Sequence, residues 1–465
     1  MLFRRVLVAQ LKRPKSSLAA QHFEEIPSAK GLPLVGTALD LIASGSSPKL
    51  HTYVDKRHRQ LGPIFKERLG PAHCVFISDP EEMRDVFAQE GRYPMHLAPD
   101  AWAAYNRLHG RFRGLFFMDG PDWWHHRRLV NKQLLKGDLK WIEDSCDYVS
   151  DKLLEHLQST ITNHGYYENL EDTLYKWSVD VIVSVLLGAE AYAECSGSLA
   201  EEVAVLAKKM YLVFQTSSEM ALIPSSIASK LKIPRWRRFV RSVDQALEGG
   251  NRLVNRLIRE LSPKSNGLLP KLLNEDMDIE NVKRIIVDMV LAAGDTSTYA
   301  MEWSLYMLGK NPAVQEELRR DPSFVKFVFR ETLRLYPVAT FLTRILPEDA
   351  TLSGFRVPKG SLIVLSMYTS GRDGRYFKNP DSFEPRRWDR EDKDYNIGMQ
   401  KATLPFGMGL RGCVGRKVAE NQLYKALNKI VQNFEVEVGN SREVDIKLKM
   451  VAVPSEPLKL KFKRL

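Results

Sequence analysis

One cysteine stands among residues that could put it to chemical use. It lies in Phe406–Gly407–Met408–Gly409–Leu410–Arg411–Gly412–Cys413–Val414–Gly415. Glycines ahead of a cysteine permit a tight turn with positive φ and let a flat group approach the backbone. A helix predicted to begin near Cys413 would aim unpaired N–H groups and its macrodipole at the sulfur, which lowers a thiol pKa. Gly415 leaves the first turn open, and Arg411 sets a cation close to the sulfur. A thiolate facing open space beside an anion-binding cation suits a haem iron with a cysteinate axial ligand and a propionate at the rim. A second group interrupts the most apolar stretch of the chain, 280–310: Ala292–Ala293–Gly294–Asp295–Thr296–Ser297. An acid and a hydroxyl there cost free energy unless they are used or paired. A threonine bonded back to its own helix is the plainer alternative. Glu331 and Arg334 share a helix face and can both meet Arg387, while Trp123 and Arg127 face one way on another helix. His125 and His126 are expected to be helix-face histidines rather than metal ligands.

Taken together, these segments resemble the cytochrome P450 family. The loop FxxGxRxCxG is matched at every fixed position from Phe406 to Gly415, Glu331–Arg334 resembles the ExxR motif, and Phe383–Trp388 resembles the later PxRx element. Trp123–Arg127 resembles WxxxR, so the likeness covers essentially all of 31–465. It implies haem b held by Cys413, with Phe406 and Gly407 shaping the loop and Trp123, Arg127, Arg344 and Arg411 around the propionates. It also implies a structural Glu331–Arg334–Arg387 cluster and an oxygen groove in which Thr296 steadies O2 and Asp295 relays protons. Ala293 stands where the family usually has glycine, with Gly294 one position later, so a local helix distortion is expected to move by a residue. The implied reaction is reductive cleavage of O2 and hydroxylation of a substrate carbon.

No Gly-rich dinucleotide fingerprint is present, so the electrons must come from outside the chain. The likeness to mitochondrial members of the family implies an adrenodoxin-type ferredoxin with its NADPH-dependent reductase, met by Lys326, Arg330, Arg416 and Lys417. Substrate contacts are expected from Trp102, Phe116, Ala292, Val338, Ala339 and Phe341, with Leu115, Asp288 and Val451–Val453 nearby. Residues 31–45, 62–70, 115–131 and 366–373 are similar to insect ecdysteroid 2-hydroxylases, which implies conversion of 2-deoxyecdysone to ecdysone. The alternatives are a mitochondrial hydroxylase of another position such as C22, a haem- or sterol-binding protein without turnover, and a microsomal enzyme fed by a flavoprotein.

The elements that must position these residues are mostly helical. Apolar spacing of three and four predicts helices over 47–60, 80–90, 122–136, 141–161, 170–187, 199–217, 237–261, 280–310 and 323–335, and from Cys413 to about Phe434. Short strands are expected at 64–69, 73–77, 351–356 and 361–365, and 371–412 reads as one long irregular segment. The expectation is mainly α with a small β-sheet region: the cytochrome P450 fold as a single large helical domain with a buried haem, over 31–465. The 465 residues carry a net charge of +11 with 44% hydrophobic and 27% charged side chains, ample for a large core. No apolar run approaches the ~20 residues of a membrane span. Cys74, Cys146, Cys195 and Cys413 stand far apart with no CxxC pair, which excludes a disulfide scaffold and a zinc module. No basic stripe with interleaved aromatics points to nucleic acid. Residues 1–30 are basic, amphipathic and poor in acids, the composition of a mitochondrial transit peptide. The body, slightly basic in balance, is expected at the matrix side of the inner membrane.

Overall fold

The computed structural model describes residues 20–33, 35–69, 72–161, 167, 169–393 and 395–465. Of the segment expected to be a transit peptide, residues 1–19 lie outside the described residues. Residues 20–30 are part of the folded body: Gln21 bridges to Phe355, Ser28 to Lys66, and Ile26 is buried in a core cluster.

Helices of eight residues or more are α1 (Leu50–Leu61), α2 (Pro80–Ala88), α3 (Asp100–Leu108), α4 (Gly120–Leu135), α5 (Lys140–Thr160), α6 (Leu170–Leu187) and α7 (Ala189–Glu219). They continue with α8 (Pro234–Arg259), α9 (Ile279–Lys310), α10 (Pro312–Arg320), α11 (Val325–Leu335) and α12 (Arg416–Asn433). The strands are β1 (Ile64–Leu69), β2 (Ala72–Ile77), β3 (Phe341–Ile345), β4 (Ala350–Leu352), β5 (Phe355–Val357), β6 (Leu362–Ser366), β7 (Phe434–Val438), β8 (Ile446–Lys449), β9 (Val451–Pro454) and β10 (Leu460–Arg464). One sheet runs in the order β1–β2–β6–β3, with β2 and β6 parallel and the other neighbours antiparallel. The remaining strands form the pairs β4–β5, β8–β9 and β7–β10.

The helix α9 is apolar all round because α6, α7, α8, α11 and α12 all pack against it. It runs unbroken through Gly294, so the expected displaced distortion does not occur. Gly294 serves packing instead: a Cβ there would stand 2.6 Å from Met210 Cε and 2.8 Å from Tyr175 Cε1. Two other expectations are corrected, and one strand without a sequence signal appears. The stretch 351–356 is a hairpin, β4 and β5, whose turn residues Ser353 (φ 49°) and Gly354 (φ 83°) take the left-handed conformation that tight hairpins need. Strand β3 has no alternating signature because the residue it buries most deeply is a charged one, Arg344. The last helix starts at Arg416 with Gly415 as its N-cap, leaving Cys413 in the loop before it.

The irregular stretch 371–412 is held by a buried ion cluster. Glu331 Oε1 accepts from Arg334 Nη2 at 2.7 Å, Arg387 Nε at 2.9 Å and Glu384 N at 3.0 Å. Its Oε2 accepts from Arg334 Nε and Trp388 Nε1, each at 2.9 Å. Arg334 then donates to the carbonyls of Gly371 (2.8 Å), Ser382 (2.8 Å) and Pro380. Arg387 donates to that of Lys378 at 2.8 Å. One carboxylate thus saturates two guanidinium groups, which in turn saturate backbone carbonyls of a chain that has no ladder of its own. Replacing Glu331 with Ala leaves Arg334 buried without an acid and Arg387 with Glu384 alone, 3.0 Å away, a loss of about 3–5 kcal/mol. Urea unfolding should show this as a lower midpoint, and an unchanged midpoint would contradict the assignment.

Candidate functional site

The cysteine loop is shaped by two glycines and one acid. Gly407 (φ 67°) and Gly409 (φ 77°) adopt the left-handed conformation; Gly412 does not. Cys413 N donates to Phe406 O at 2.8 Å and closes the turn. Glu90, only 4% exposed, lies against Gly409 so closely that a Cβ there would meet its carboxylate. Its Oε1 accepts from Leu410 N and its Oε2 from Arg344 Nε, both at 2.6 Å. Arg344 also donates to Met408 O at 3.2 Å. The side chain expected to bind a propionate is therefore also a clamp on the loop, through an acid that no motif singled out.

Cys413 is accessible to solvent although protein surrounds it. Burial is the first influence on its thiol and raises the pKa, opposed by the Gly415 N–H and by the charges of Arg127 and Arg416. The expected lowering by a helix N-terminus is thus outweighed by desolvation, because the helix starts beyond the cysteine. Deprotonation must accompany metal binding. Around the loop sit Arg127, Arg344 and Arg411. Arg127 donates to Gly412 O and leaves its buried Nε unpaired; burial lowers its pKa to about 10. Arg411 stacks 4.2 Å over Trp123 and donates to Pro94 O (2.5 Å), Met118 O (2.7 Å) and Asp119 Oδ1 (2.5 Å). His96 has neither ring nitrogen paired, and burial plus the charges of Arg411 and Arg344 lowers its pKa to about 4. Arg127, which has no acid partner, and the orphaned nitrogens of Arg127 and His96 call for an anionic partner beside Arg344 and Arg411, and a thiol next to them offers a soft metal ligand. The donor set fits a haem: Cys413 for the iron, and Arg127, His96, Arg344, Arg411 and Trp123 for its carboxylates. His96 and Glu90 escape sequence reasoning because neither stands at a diagnostic spacing.

On α9 the side chains divide. Ala292 and Thr296 are accessible while Leu291, Gly294, Asp295 and Ser297 are buried, so one face of α9 is left uncovered by protein. Thr296 Oγ1 donates to Ala292 O at 3.0 Å. Asp295 turns away from Thr296 and accepts from Tyr175 Oη on α6. Burial, and secondly the charge of Glu171, raises its carboxyl pKa well above the ordinary range.

The expected substrate residues divide likewise. Phe116 is 50% exposed, and Ala292, Val338 and Ala339 keep accessible surface. Trp102 is core: it donates to Ser217 Oγ at 3.0 Å and lies under Arg113. Phe341 packs with the cluster of Phe65 and Phe76, and Asp288 is consumed by Arg113 Nε (2.9 Å) and Gly114 N (2.6 Å). Of the expected ferredoxin contacts, Lys326, Arg330 and Arg416 line one surface groove of about 460 Å³ together with Phe406. Lys417 stands beside it, 3.7 Å from Glu420. His125 and His126 bond to backbone carbonyls, as expected of helix-face histidines.

The cytochrome P450 family profile matches residues 26–462. The mitochondrial cytochrome P450 315a1 of Drosophila melanogaster is 38% identical over 464 residues, covering 95% of this chain and 89% of that one. The mitochondrial cholesterol side-chain cleavage enzyme of Oncorhynchus mykiss is 28% identical, covering 99% of this chain and 94% of the other. The mitochondrial sterol 26-hydroxylase of Rattus norvegicus is 28% identical, covering 95% and 90%. Among solved structures, retinoic acid bound cyanobacterial CYP120A1 superposes with a TM-score of 0.76 at 20% identity, covering 96% of this chain and all of that one. That likeness concerns the fold.

A raised carboxyl pKa means that folded Asp295 keeps a proton which the unfolded chain releases above about pH 4. Stability therefore falls as pH rises from that value toward the folded pKa. Asp295→Asn removes this slope: its unfolding free energy should gain on the wild type steadily from acid to neutral pH. Denaturation at several pH values checks it, and a constant offset would refute it.

Proposed function

The chain belongs to the cytochrome P450 family, and from that membership we propose that it hydroxylates an ecdysteroid at C2, converting 2-deoxyecdysone to ecdysone in the mitochondrion. It is a monooxygenase whose cofactor is haem b with a cysteinate axial ligand. The observation that carries the substrate reading is the 38% identity to the insect mitochondrial relative over 95% of the chain. The segments similar to insect ecdysteroid 2-hydroxylases lie within that match and include Phe116 and the Trp123–Arg127 helix.

When bound, the haem iron supplies the activation of O2 that places one oxygen atom in a C–H bond and releases the other as water. The chain's residues do the rest. Cys413 would give its thiolate to the iron, and Arg127, His96, Arg344, Arg411 and Trp123 would hold the carboxylates. Glu90 and the Glu331 cluster hold the loop in register. Thr296 stands on the uncovered face of α9, and Asp295, protonated by its burial, holds a proton one residue away. Phe116, Ala292, Val338 and Ala339 supply the apolar wall against which one C–H bond is aimed and water excluded.

Electrons arrive from an adrenodoxin-type ferredoxin and its NADPH-dependent reductase. The groove of Lys326, Arg330 and Arg416, with Lys417 beside it, offers clustered cations on the Cys413 loop's side of the molecule, next to Phe406. An acidic partner suits such a surface. Among the described residues no helix is long and apolar enough to cross a membrane. A peripheral seat on the matrix side of the inner membrane is supported by Leu222, Ile227 and Leu231, which are 48%, 55% and 70% exposed. Lys230, Lys232, Arg235 and Arg237 flank them, and such a patch favours an anionic lipid surface.

The reduced, carbon-monoxide-bound protein should show a thiolate-type absorption band that disappears in Cys413→His, and incubation with 2-deoxyecdysone, ferredoxin, reductase and NADPH should yield ecdysone. A C22-hydroxylated product would transfer the assignment to that position, and no product would remove 2-deoxyecdysone as the substrate. Lys326→Glu with Arg416→Glu should raise the KM for ferredoxin about tenfold with kcat nearly unchanged at saturation, and wild-type association should weaken with salt. An unaltered KM would place the partner elsewhere.

A further inference from the structure

Asp295, Tyr299 and Glu302 stand on one face of α9, four and then three residues apart, at 2%, 3% and 4% exposure. Three polar groups along the face of a core helix cost free energy unless they serve something. Facing them on α6 are Glu171 and Tyr175, also four apart. Tyr299 Oη donates to Glu171 Oε1 at 2.6 Å, and Tyr175 Oη donates to Asp295 Oδ1. Glu302, Tyr299 and Glu171 then form part of the wall of a solvent-reaching cavity of about 870 Å³ beneath the β8–β9 hairpin. Asp172, Tyr211, Lys447 and Lys449 line the same cavity. The stripe runs along α9 from that cavity to Asp295, bonded at Tyr299–Glu171 and at Tyr175–Asp295 and joined between these pairs by adjacency on the two helices; Thr296, next to Asp295, stands on another, uncovered face of α9.

We propose that Glu302, Tyr299 and Glu171 are the proton feed that reloads Asp295 from the solvent in this cavity. The inference rests on Asp295 being the proton donor of the proposed reaction. When the Asp295 carboxyl turns from Tyr175 and gives up its proton on the Thr296 side, the carboxylate that returns takes one through the Tyr175, Tyr299 and Glu171 hydroxyl and carboxyl groups. Glu302 hands the next proton inward and is recharged by cavity water. One proton enters for each one used, and no electron moves. Asp295 is faced by Tyr175 and Glu171 from α6, by Lys449 from β8 and by Tyr299 from its own helix; Glu302 is faced by Glu171. Burial, reinforced by the Glu171 charge, keeps Asp295 and Glu302 in the proton-carrying form. Lys449 alone opposes this at Asp295.

The test uses the haem-loaded full chain with Glu302→Gln, Tyr299→Phe and Asp295→Asn. In the resting enzyme, the protonated-carboxyl infrared band that is missing from Asp295→Asn should exchange into D2O at least about tenfold more slowly in the other two variants. Turnover driven by O2 and ferredoxin should fall about tenfold in both. Turnover driven by hydrogen peroxide, which brings its two protons together with its two electrons, should be retained. Unchanged exchange and O2-driven turnover would overturn the proposal, as would equal loss of O2- and peroxide-driven turnover, the mark of a structural role. Full O2-driven turnover in Asp295→Asn would sink the donor reading itself. An impaired Asp295→Asn beside unimpaired Glu302→Gln and Tyr299→Phe would sink only the feed.

Discussion

Two buried carboxylates hold the loop that carries Cys413. Glu331 draws the backbone of 371–384 inward through Arg334 and Arg387. Glu90 grips the loop itself, through Leu410 N and through Arg344. Neither acid touches the sulfur. Both are needed because a loop that must leave a thiol uncovered on one side cannot be held there by packing, so its position has to be specified from behind by directed bonds. Buried charges of this kind are costly, and the cost is offset only where every lone pair finds a donor. Glu331 meets that condition with five hydrogen bonds spread over Arg334, Arg387, Trp388 and the backbone of Glu384.

The same balance between burial and charge sets the chemistry. Desolvation raises the Cys413 thiol and lowers the pKa of Arg127 and Arg411 to about 10. All three groups are thus biased toward neutrality by the protein alone. A ligand that brings a metal to the sulfur and carboxylates to the guanidinium groups reverses every one of these penalties together, so the site is complementary to the haem rather than to water. On α9 burial acts in the same sense, keeping Asp295 and Glu302 neutral, which for a carboxyl means protonated and able to give a proton.

Much of this was legible in one dimension because the chemistry is local. Cys413, Arg411 and the glycines lie within one short segment, Glu331 and Arg334 within one helical turn, and Trp123 and Arg127 within another. The helices were legible where an apolar stripe faces the core, and α9, apolar all round, stood out by that very excess. Strand β3 was not, since its most deeply buried residue is an arginine, and 351–356 did not reveal its reversal at Ser353–Gly354. The start of the last helix was misplaced by three residues because a Gly-rich turn and a helix cap share the same composition.

The sequence by itself determined the residue types: a lone thiol in a glycine-rich loop, an acid beside a hydroxyl in a core helix, and a glutamate spaced to meet two arginines. Tertiary structure alone decided which of them face one another. It brought Glu90 and His96 to the loop from about 300 residues away; it turned Asp295 from Thr296 toward Tyr175, and it made Trp102 core. It also gathered Lys326, Arg330 and Arg416 along one groove. The physical reason is that spacing along a chain fixes which face of its own element a side chain takes, whereas burial, pairing and pKa depend on the elements packed against that face.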